Sequence, residues 1–557
     1  MKNYIIISLL AVLMVGCEDF LDTDDLVRKN SGNFPLNKAE LDNALAGAYA
    51  MFCTADRQGD CTFFWSTILS DECFGNGGNG DHNWQAHNQF LRSGDNAHSS
   101  SWRENYKGIY RCNSILDALE TNPDIAFSST AERDQYLGEV YALRAWYYYE
   151  LVLMFGPYVP LRLQPKVENL PAANSDELFA QIADDLNKSI SLLPSKKIQE
   201  LGSANLGHFT RWAVQAYMAR VFLFYTGYYK KSELPTLSGS ISKQQVIAWL
   251  EDCINNSGHG LLSDYRNNYV YGNAYTAPDY KYAVDNQLSW VGDTGDNIES
   301  VFALKFSIFT DNRWGLLFGI RSLSKPDLFP FRDGWGSGSV NPKFFDQWLA
   351  DEPTDIRRNA SILDLSDSNE NMNYIWGGDQ GEETGYVIKK VQNVNAYDAT
   401  RKIVNYSLIA YGGNDGQGHS AVNQIMIRFS EVLLMHSELV ENNEGLNRVR
   451  SRVNLPPVAY SFEAIQKERR YELAFDGIRF YDLLRWYGMD AGTVIDANQN
   501  GAIYYRIGNT QTMNGNVTKR IRDTGGFLEI PKTEIDLSEG VLKQNQGWVG
   551  DNILFRP

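Results

Sequence analysis

The feature that most constrains the fold is the segment at 131–155, AERDQYLGEVYALRAWYYYELVLMF. Apolar residues follow helical spacing in its first half and occupy nearly every face in its second half. A helix that is apolar on all sides has to be buried among other helices. Gly156 followed by Pro157 is a typical helix stop. The segment therefore predicts several packed helices around a large core.

Helical periodicity continues along the chain. The other predicted helices are 37–51, with Asn37 as its cap, and 102–119, 175–193, 209–228, 243–255, 425–441 and 462–486. Their occurrence in pairs suggests tetratricopeptide-like packing, although no strict fixed-period repeat survives in the sequence.

Two long stretches between these helices have a different composition. Residues 71–101 are rich in Gly, Asn, His and Ser, and residues 263–340 mix Gly, Asn, Asp and Pro with Tyr and Trp. Loops of this length in a compact fold are usually functional. Short strands are predicted at 300–306 and 385–390.

The predicted class is mainly α, a superhelix of tetratricopeptide-like helix pairs with a loop-rich second lobe that carries short strands. One body is predicted over 37–557. The segments assigned mainly to its helical scaffold are 37–70, 99–260 and 424–490. Those assigned mainly to the ligand lobe are 71–98 and 261–423.

The beginning of the chain has the design of a secretory signal. Residues 1–3 carry one positive charge and residues 4–15 are apolar, a run shorter than the ~20 residues that span a bilayer. The run leads to Cys17 in a pattern that resembles a bacterial lipoprotein box, with the favoured leucine one position early, at Leu13. The alternative is an ordinary signal peptide with an incidental cysteine.

On the lipoprotein interpretation, residues 1–16 are a signal peptide and residues 17–36 are a tether lipidated at Cys17. The acidic residues that follow resemble the export tag by which Bacteroidetes place lipoproteins on the outer cell surface; they are Glu18, Asp19, Asp22, Asp24 and Asp25. The predicted location is therefore the outer membrane, facing the exterior through a lipid anchor.

The composition restricts the classes of molecule that this chain can bind. The net charge of −17 argues against nucleic acid or an anionic membrane surface. The chain has 13 Trp, 31 Tyr and 27 Phe, and such rings fill helical cores or, when exposed, form platforms for sugars. Cys53 and Cys61 flank a polar turn, where either a disulfide or two free thiols would fit.

Four sequence blocks point to one family. In order they are EVYALRAWYYYELVLMFGPYVPL (139–161), IRFSEVLLMHSELVEN (427–442) with LNRVRSRVNLP (446–456), AIQKERRYELAFDGIRFYDLLRWYG (464–488) and FLEIPKTEIDLSEGVLKQNQGW (527–548). Together with GWG at 334–336 and DIRR at 355–358, they resemble the SusD/RagB family of Bacteroidetes outer-membrane nutrient-binding lipoproteins. The resemblance covers essentially the whole mature chain.

The resemblance implies a SusD-like fold and a binding function without enzymatic activity. Members bind glycans, or in some cases other nutrients, and form a lid on a SusC-like TonB-dependent transporter. The helical side is expected to contact the transporter, and the loop-rich lobe is expected to hold the ligand.

The first loop region offers one aromatic ligand candidate. Trp84, in GDHNWQAHNQF, is a large ring in a polar segment, so exposure to a sugar face is expected, with Asn83 as a hydrogen-bonding neighbour. The alternative is that Trp84 pins the loop to the scaffold. His82, His87 and His98 lack the helical spacing of a preformed metal site, so no metal is predicted there.

The second loop region supplies the remaining ligand-binding candidates, which are Tyr271, Tyr275, Trp290, Arg313 and Trp314. The segment at 266–295 looks longer than the usual family segment, and specificity is therefore expected there. Trp335, inside the GWG block, is interpreted as structural.

The segment at 464–488 is dense in charge. Pairs three residues apart are Arg469 with Glu472, Arg479 with Asp482, and Asp482 with Arg485. This spacing suits ion pairs along a helix, and it favours a structural network over a catalytic carboxylate pair.

A weak match to a calcium loop occurs at 496–503, DANQNGAI, with oxygen ligands at Asp496, Asn498 and Asn500. The acid expected at the twelfth position is missing because Ile507 stands there. A hairpin turn that uses Asn500 and Gly501 would explain the same residues.

The resulting hypothesis is a cell-surface lipoprotein that captures oligo- or polysaccharide and delivers it to a SusC-like TonB-dependent transporter. Two alternatives stay open: a surface glycoside hydrolase, and a transporter lid that binds peptides or has no ligand of its own. No catalytic residue and no cofactor are predicted, since phosphate-loop, nucleophile-elbow and zinc-protease motifs are absent from the sequence.

Overall fold

The computed structural model of the 557-residue chain describes residues 34–78, 80–202, 206–292, 297–321, 328–370, 372, 374, 376, 380–499, 502–506, 509–512, 516–550 and 553–555. For 502–506 and 509–512 only the course of the backbone is described. The predicted signal peptide, Cys17 and most of the predicted tether lie outside these residues.

Every predicted helical segment contains a helix, and among the described residues four further helices of eight or more residues, at 342–351, 444–452, 491–499 and 517–524, lie outside those segments. The helices of eight or more residues are α1 (Lys38–Ala50), α2 (Ser99–Thr121), α3 (Thr130–Phe155), α4 (Ser175–Leu192), α5 (Arg211–Tyr228), α6 (Lys243–Asn256), α7 (Pro342–Asp351), α8 (Phe429–Val440), α9 (Glu444–Arg452), α10 (Phe462–Glu472), α11 (Arg479–Tyr487), α12 (Ala491–Gln499) and α13 (Val517–Thr524). Within the described residues, no helix combines the length and apolarity needed to cross a bilayer.

Side-chain caps fix where several helices begin. Asn37 accepts a hydrogen bond from the Glu40 backbone at the start of α1. Capping boxes that pair Asn174 with Glu177 and Ser242 with Gln245 open α4 and α6. Each cap satisfies backbone N–H groups that the first helical turn leaves free.

Helix α3 is the centre of the scaffold and packs against α2 and α4. Its second half is buried on all sides, as predicted, and Trp146 stacks on Tyr217 of α5 with ring centres 4.2 Å apart. Gly156 ends the helix with φ +61°, and a Cβ there would lie 2.5 Å from the Phe527 ring. Only glycine can adopt this positive φ and also leave room for the ring.

Two predicted helices differ from the structure in their extent. The segment predicted at 425–441 begins as a strand, and its helix starts at Phe429. The segment predicted at 462–486 is divided into α10 and α11. Gly477, with φ +75°, lies at this break, where a Cβ would be 2.6 Å from the Phe63 ring.

Short strands form the loop-rich part of the fold. They are β1 (Cys73–Gly75), β2 (Leu234–Thr236), β3 (Gly239–Ile241), β4 (Ser300–Leu304), β5 (Gly338–Val340), β6 (Ile362–Asp364), β7 (Tyr386–Ile388), β8 (Asn395–Tyr397), β9 (Ile403–Asn405), β10 (Gln424–Arg428), β11 (Ala502–Arg506) and β12 (Asn509–Thr512). The largest sheet has the order β1-β5-β7-β6, with antiparallel pairs throughout. Strand β10 pairs with β4 and leads directly into α8.

The buried apolar side chains form two clusters. The larger one fills the helical scaffold. The smaller one, here called the lobe core, belongs to the loop-rich part and contains Tyr265, Tyr269, Tyr271, Tyr280, Phe331, Leu363 and Tyr406 among others. The loops therefore have an interior of their own.

Buried charges connect α10 to distant parts of the chain. Glu472 accepts hydrogen bonds from Arg357 Nη1 at 3.0 Å and from Arg428 Nη1 at 2.6 Å, and it also pairs with Arg452. Burial alone would raise the pKa of Glu472, but the arginine charges lower it well below its ordinary value. The predicted structural network is therefore present.

The partners in this network differ from those predicted. Arg485 pairs with Asp482 as expected, at 2.7 Å. Arg469, however, pairs with Asp482 and not with Glu472, and Arg479 binds Asp71 and not Asp482. Helical spacing cannot reveal a partner that the fold brings from another segment.

The disulfide alternative for Cys53 and Cys61 is wrong, because both are free thiols. Burial raises the pKa of each to about 12. Cys53 Sγ instead donates to the Lys305 carbonyl at 3.2 Å.

Candidate functional site

The loop that carries Trp84 consists of β1 and the short helix His82–Asn88. Gly75 lets the helix lie against the strand, because a Cβ there would be 2.0 Å from the Trp84 carbonyl oxygen. Gly77 has φ +148°, and its Cβ would be 2.9 Å from two carbons of the Trp84 ring. The backbone of Gly77 therefore packs directly against the indole.

Trp84 is partly buried. Its ring packs against the scaffold core and meets Phe64 edge-on at 6.1 Å. The structure thus combines the two alternatives, since the ring pins the loop and still keeps part of its surface open. Asn83 is exposed, and its carbonyl oxygen lies 2.6 Å from His87 Nδ1.

Polar groups surround the open side of this loop. Asp81 Oδ2 accepts a hydrogen bond from the Gly78 N–H at 2.8 Å and lies 3.8 Å from Arg321 Nη1. Arg321 Nη1 also donates to the Trp335 carbonyl at 3.3 Å. Arg321 therefore connects the Trp84 loop to Trp335.

A third tryptophan, Trp376, is linked to the Trp84 loop through Tyr374 and Gln380. Gln380 pairs with Gly78 in an antiparallel bridge, and Tyr374 Oη donates to Gln380 Oε1 at 3.0 Å. The Trp376 ring is 39% exposed and meets Tyr374 edge-on at 4.7 Å. We call this surface the tryptophan platform and define it by Trp84, Trp335, Trp376, Asp81, Arg321 and Gln380.

Arg313 supports the platform from one side. Its guanidinium carbon lies 5.4 Å from the centre of the Trp335 ring, within the range of a cation–π contact. Trp335 is partly buried. The sequence analysis assigned Trp335 a structural role. In the structure its carbonyl oxygen accepts a hydrogen bond from Arg321, which joins Trp335 to the Trp84 loop, so its ring is also a candidate ligand contact.

The predictions for Tyr271 and Trp314 are wrong. They are 1% and 0% exposed, so neither ring can present a face to a ligand. Tyr271 Oη donates to the Ala360 carbonyl in the lobe core at 3.1 Å. Trp314 packs on Phe63 with ring centres 4.9 Å apart.

Tyr275 and Trp290 come together around Tyr406, with ring centres 6.2 and 6.1 Å from its ring. Tyr411 lies 6.0 Å from Tyr406 on the same measure. Tyr275 is 51% exposed and Trp290 is partly buried. This Tyr406 cluster is a second group of aromatic side chains on the lobe.

The calcium prediction is wrong for its two described ligands. Asp496 and Asn498 lie on helix α12, where residues two apart point to different sides. Asp496 accepts a hydrogen bond from the Thr518 N–H at 2.9 Å. Asn500 and the alternative turn at Asn500 and Gly501 lie outside the described residues.

Two histidines of the first loop region are engaged in contacts within the fold: His87 Nδ1 faces the Asn83 carbonyl, and His98 Nδ1 lies 3.0 Å from Asp60 Oδ1. His87 and His98 are buried with ring centres 4.6 Å apart. Burial lowers the pKa of His87 to about 3, and the neighbouring His98 adds to this effect. Among the described residues, no set of three or more His, Cys, Asp or Glu side chains is arranged to hold a metal.

Sequence reasoning missed several platform residues. Trp376 lies in NMNYIWGG, a polar stretch with the same signal that identified Trp84, and it could have been found in that way. Arg321 and Gln380 carry no comparable signal, because only the fold brings them beside Gly78.

Comparisons with known proteins agree with this architecture. A SusD-like family model described as "Starch-binding associating with outer membrane" matches residues 19–223, and the SusD family model matches residues 299–548. SusD-like protein P25 of Formosa agariphila is 24% identical over 484 residues, which cover 80% of this chain and 78% of the relative. A SusD-like protein of Bacteroides ovatus is 23% identical over 407 residues, covering 70% and 65%.

Solved structures show the same fold. A laminarin-binding SusD-like protein matches with a TM-score of 0.67 at 24% identity, covering 92% of this chain and 99% of its own. Surface glycan-binding protein A from Bacteroides thetaiotaomicron, in complex with laminarihexaose, matches with a TM-score of 0.67 at 20% identity, covering 92% and 100%.

The fold defines a tetratricopeptide-like helical scaffold that carries a loop-rich lobe, which confirms the predicted mainly-α class. Together, the two family matches extend over most of the sequence. The chain belongs to the SusD/RagB family.

Proposed function

We propose that this chain is a cell-surface lipoprotein that captures oligo- or polysaccharide on the tryptophan platform and delivers it to a SusC-like TonB-dependent transporter. The observation that carries the proposal is the placement of three partly open indole rings beside a carboxylate, a guanidinium and a carboxamide. Sugar rings stack on aromatic faces, and their hydroxyls need donors and acceptors nearby.

The local structure favours a platform that is rigid before ligand arrives. Gly77 packs on the Trp84 ring, the Gly78–Gln380 bridge holds two segments together, and Tyr374 supports Trp376. Side chains that are already ordered lose less conformational entropy on binding. Modest glycan affinity, roughly micromolar to millimolar, then needs only ~4–8 kcal/mol.

The solved relatives supply the first ligand to try. One is described as laminarin-binding and another is in complex with laminarihexaose. We therefore propose laminarin-type glucans as the first probes for this chain, with other glycans and peptides as comparison ligands.

The test is calorimetric titration of the mature protein with laminarin and laminarihexaose, in the parent and in Trp376→Ala. Trp376→Ala should weaken binding about tenfold, which corresponds to ~1.4 kcal/mol. Phe462→Ala is the matched control, because this ring is 42% exposed but lies on α10 of the scaffold.

Other outcomes would contradict the proposal. If an array of glycans and peptides shows binding of peptides only, or no binding at all, the transporter-lid alternative is favoured. Shorter saccharides after incubation with the purified protein would favour a hydrolase. Equal affinity in the parent, Trp376→Ala and Phe462→Ala would remove the platform from the binding site.

The proposed arrangement at the membrane follows from the sequence and the family. A lipid on Cys17 would tether the body beside its transporter at high effective concentration, so neither contact needs to be tight. The scaffold segments would contact the transporter, and the lobe would present the ligand.

A further inference from the structure

A cavity of about 140 Å³ lies between the helical scaffold and the lobe. Strands β4 and β10 form one wall, and Trp290 and Tyr406 stand among the residues of the other. None of its described lining residues belongs to the tryptophan platform. A space of this size holds on the order of ten waters.

The lining is rich in side-chain amides. Buried carboxamides in the wall include Asn268, Asn297, Asn312, Gln392, Asn393 and Asn405. Asn312 and Asn405 each accept from a backbone N–H and donate to a backbone carbonyl, so they shape the wall. Gln392 Oε1 and Asn393 Nδ2 keep an acceptor and a donor without a partner, which is the combination that sugar hydroxyls require. Asn297 Nδ2 already donates to Asn268 Oδ1 at 3.2 Å, so part of this wall is held in place.

The buried charges in the wall are compensated, and Lys305 is an exposed residue of the lining. Lys390 Nζ lies 3.0 Å from Asp476 Oδ1, and Arg428 Nη2 lies 2.6 Å from Asp476 Oδ2. Arg428 also pairs with Glu299 at 3.0 Å. Because these cations already have anionic partners, the cavity favours a neutral ligand over an anion.

Four buried side-chain atoms on described lining residues have no hydrogen-bond partner: His259 Nε2, Tyr269 Oη, Gln392 Oε1 and Asn393 Nδ2. His259 Nδ1 faces the Ile298 carbonyl at 3.0 Å, so it carries the proton and Nε2 is an acceptor. Burial lowers the pKa of His259 to about 4, which keeps the ring neutral. An unsatisfied buried polar atom is costly, so a ligand that supplies its partner gains affinity.

We propose that this cavity is a second binding site, for a neutral saccharide of one or two rings. The unpartnered atoms of His259, Tyr269, Gln392 and Asn393 would bind its hydroxyls. Trp290 and Tyr406 would contact its apolar faces. This proposal rests on the proposed function only for the class of ligand, because the residues that line the cavity are not those of the tryptophan platform. The lining includes the exposed Lys305 as well as the buried Lys390, so the cavity extends from the surface into the interior.

The test uses calorimetry on the mature chain with glucose, galactose, mannose and laminaribiose. Ala303 lines the cavity from β4, and Ala303→Phe fills the space without removing a polar contact. This change should weaken binding of the small saccharide for which the parent has the highest affinity at least tenfold. Ala350→Phe, at an exposed position of α7, is the matched control and should leave affinity unchanged.

Two further variants separate this site from the platform. Trp290→Ala should also weaken the small saccharide at least tenfold, with thermal unfolding used to verify that the variant folds. Trp376→Ala should leave small-saccharide affinity unchanged while it weakens laminarin. If the parent binds a small saccharide but not laminarin, the proposed function is refuted and the cavity site stands.

The cavity proposal fails if no small saccharide binds the parent. It also fails if Ala303→Phe and Ala350→Phe bind equally well, or if a crystal soaked at saturating sugar shows only water in the cavity.

Discussion

Arg479 Nε donates to Asp71 Oδ1 at 2.8 Å, and Arg479 Nη2 donates to Asp71 Oδ2 at 3.0 Å. This fork joins residues 408 positions apart. Arg479 begins α11, and Asp71 stands just before β1. The pair therefore fixes the start of the Trp84 loop to the helical scaffold.

Arg479→Met should destabilise the protein by about 2–3 kcal/mol, because it removes two charge-assisted hydrogen bonds from the buried Asp71 carboxylate, which keeps Arg470 as a partner at 3.0 Å. Urea unfolding measures this free energy. The control is Lys519→Met, which breaks an exposed pair with Asp523 and should cost less than about 1 kcal/mol. Equal losses in the two variants would contradict the argument.

Glu72 should make stability depend on pH near neutrality. Burial raises its pKa to about 7, against the opposing charge of Arg479. The folded state thus binds this proton more tightly than the unfolded state. The contribution to stability is complete below the ordinary pKa of 4.5 and is lost as pH rises through 7.

Glu72→Gln should therefore flatten the stability curve between about pH 4.5 and pH 7, the interval between the two pKa values. It should also raise the free energy of unfolding at pH 8 relative to the parent. Glu120→Gln, at an exposed position of α2, should change neither. Parallel curves for the parent and Glu72→Gln would refute the assignment.

Gly77→Ala should disturb the platform. Its φ of +148° is unfavourable for alanine, and the new Cβ would lie 2.9 Å from the Trp84 ring. Strain of about 1–3 kcal/mol is expected, together with weaker glycan binding because the indole has to move. Gly80→Ala is the control, since a Cβ there meets no atom within 4 Å. Unchanged binding in Gly77→Ala would show that the ring position is unimportant.

Trp84→Ala and Trp376→Ala should separate binding from stability. Each should weaken laminarin about tenfold, or ~1.4 kcal/mol. Only Trp84→Ala should also lower the melting temperature, because Trp84 packs on Gly77 and Phe64. Calorimetry and thermal unfolding of the same preparations distinguish the two effects. A loss of stability without a loss of affinity would make Trp84 a loop anchor only.

Cys17→Ser should release the protein from the outer membrane if this cysteine carries the proposed lipid. Fractionation and labelling of intact cells measure the change. Retention of the variant in the membrane fraction would contradict lipidation at this residue. Ser substitution of the buried Cys112 is the control and should leave the location unchanged.

The helical part of the fold was predictable because its signals are local. The apolar second half of α3, the Asn37 cap and the stop at Gly156 all act over a few residues. The charged character of α10 and α11 could also be predicted from the sequence. The partner of Arg479 was not, because Asp71 comes from the other end of the chain.

The candidate site was predictable only in part. Trp84 was found because it stands in a polar loop, but the contacts that bury one side of it come from Phe64 and Gly77. Tyr271 and Trp314 lie in similar polar segments and are nevertheless buried. Local composition indicates which rings belong to the lobe, whereas long-range packing decides which of them face solvent.

The lobe core has a consequence for how this protein diversifies. Its tyrosines surround Lys389, whose Nζ lies 2.7 Å from Glu370 Oε1 and 3.6 Å from the centre of the Tyr282 ring. A lobe that is stabilised by its own interior tolerates insertions and replacements in its surface loops while the scaffold sequence stays fixed. Natural selection can in this way alter which ligand the lobe recognises without redesigning the helical scaffold.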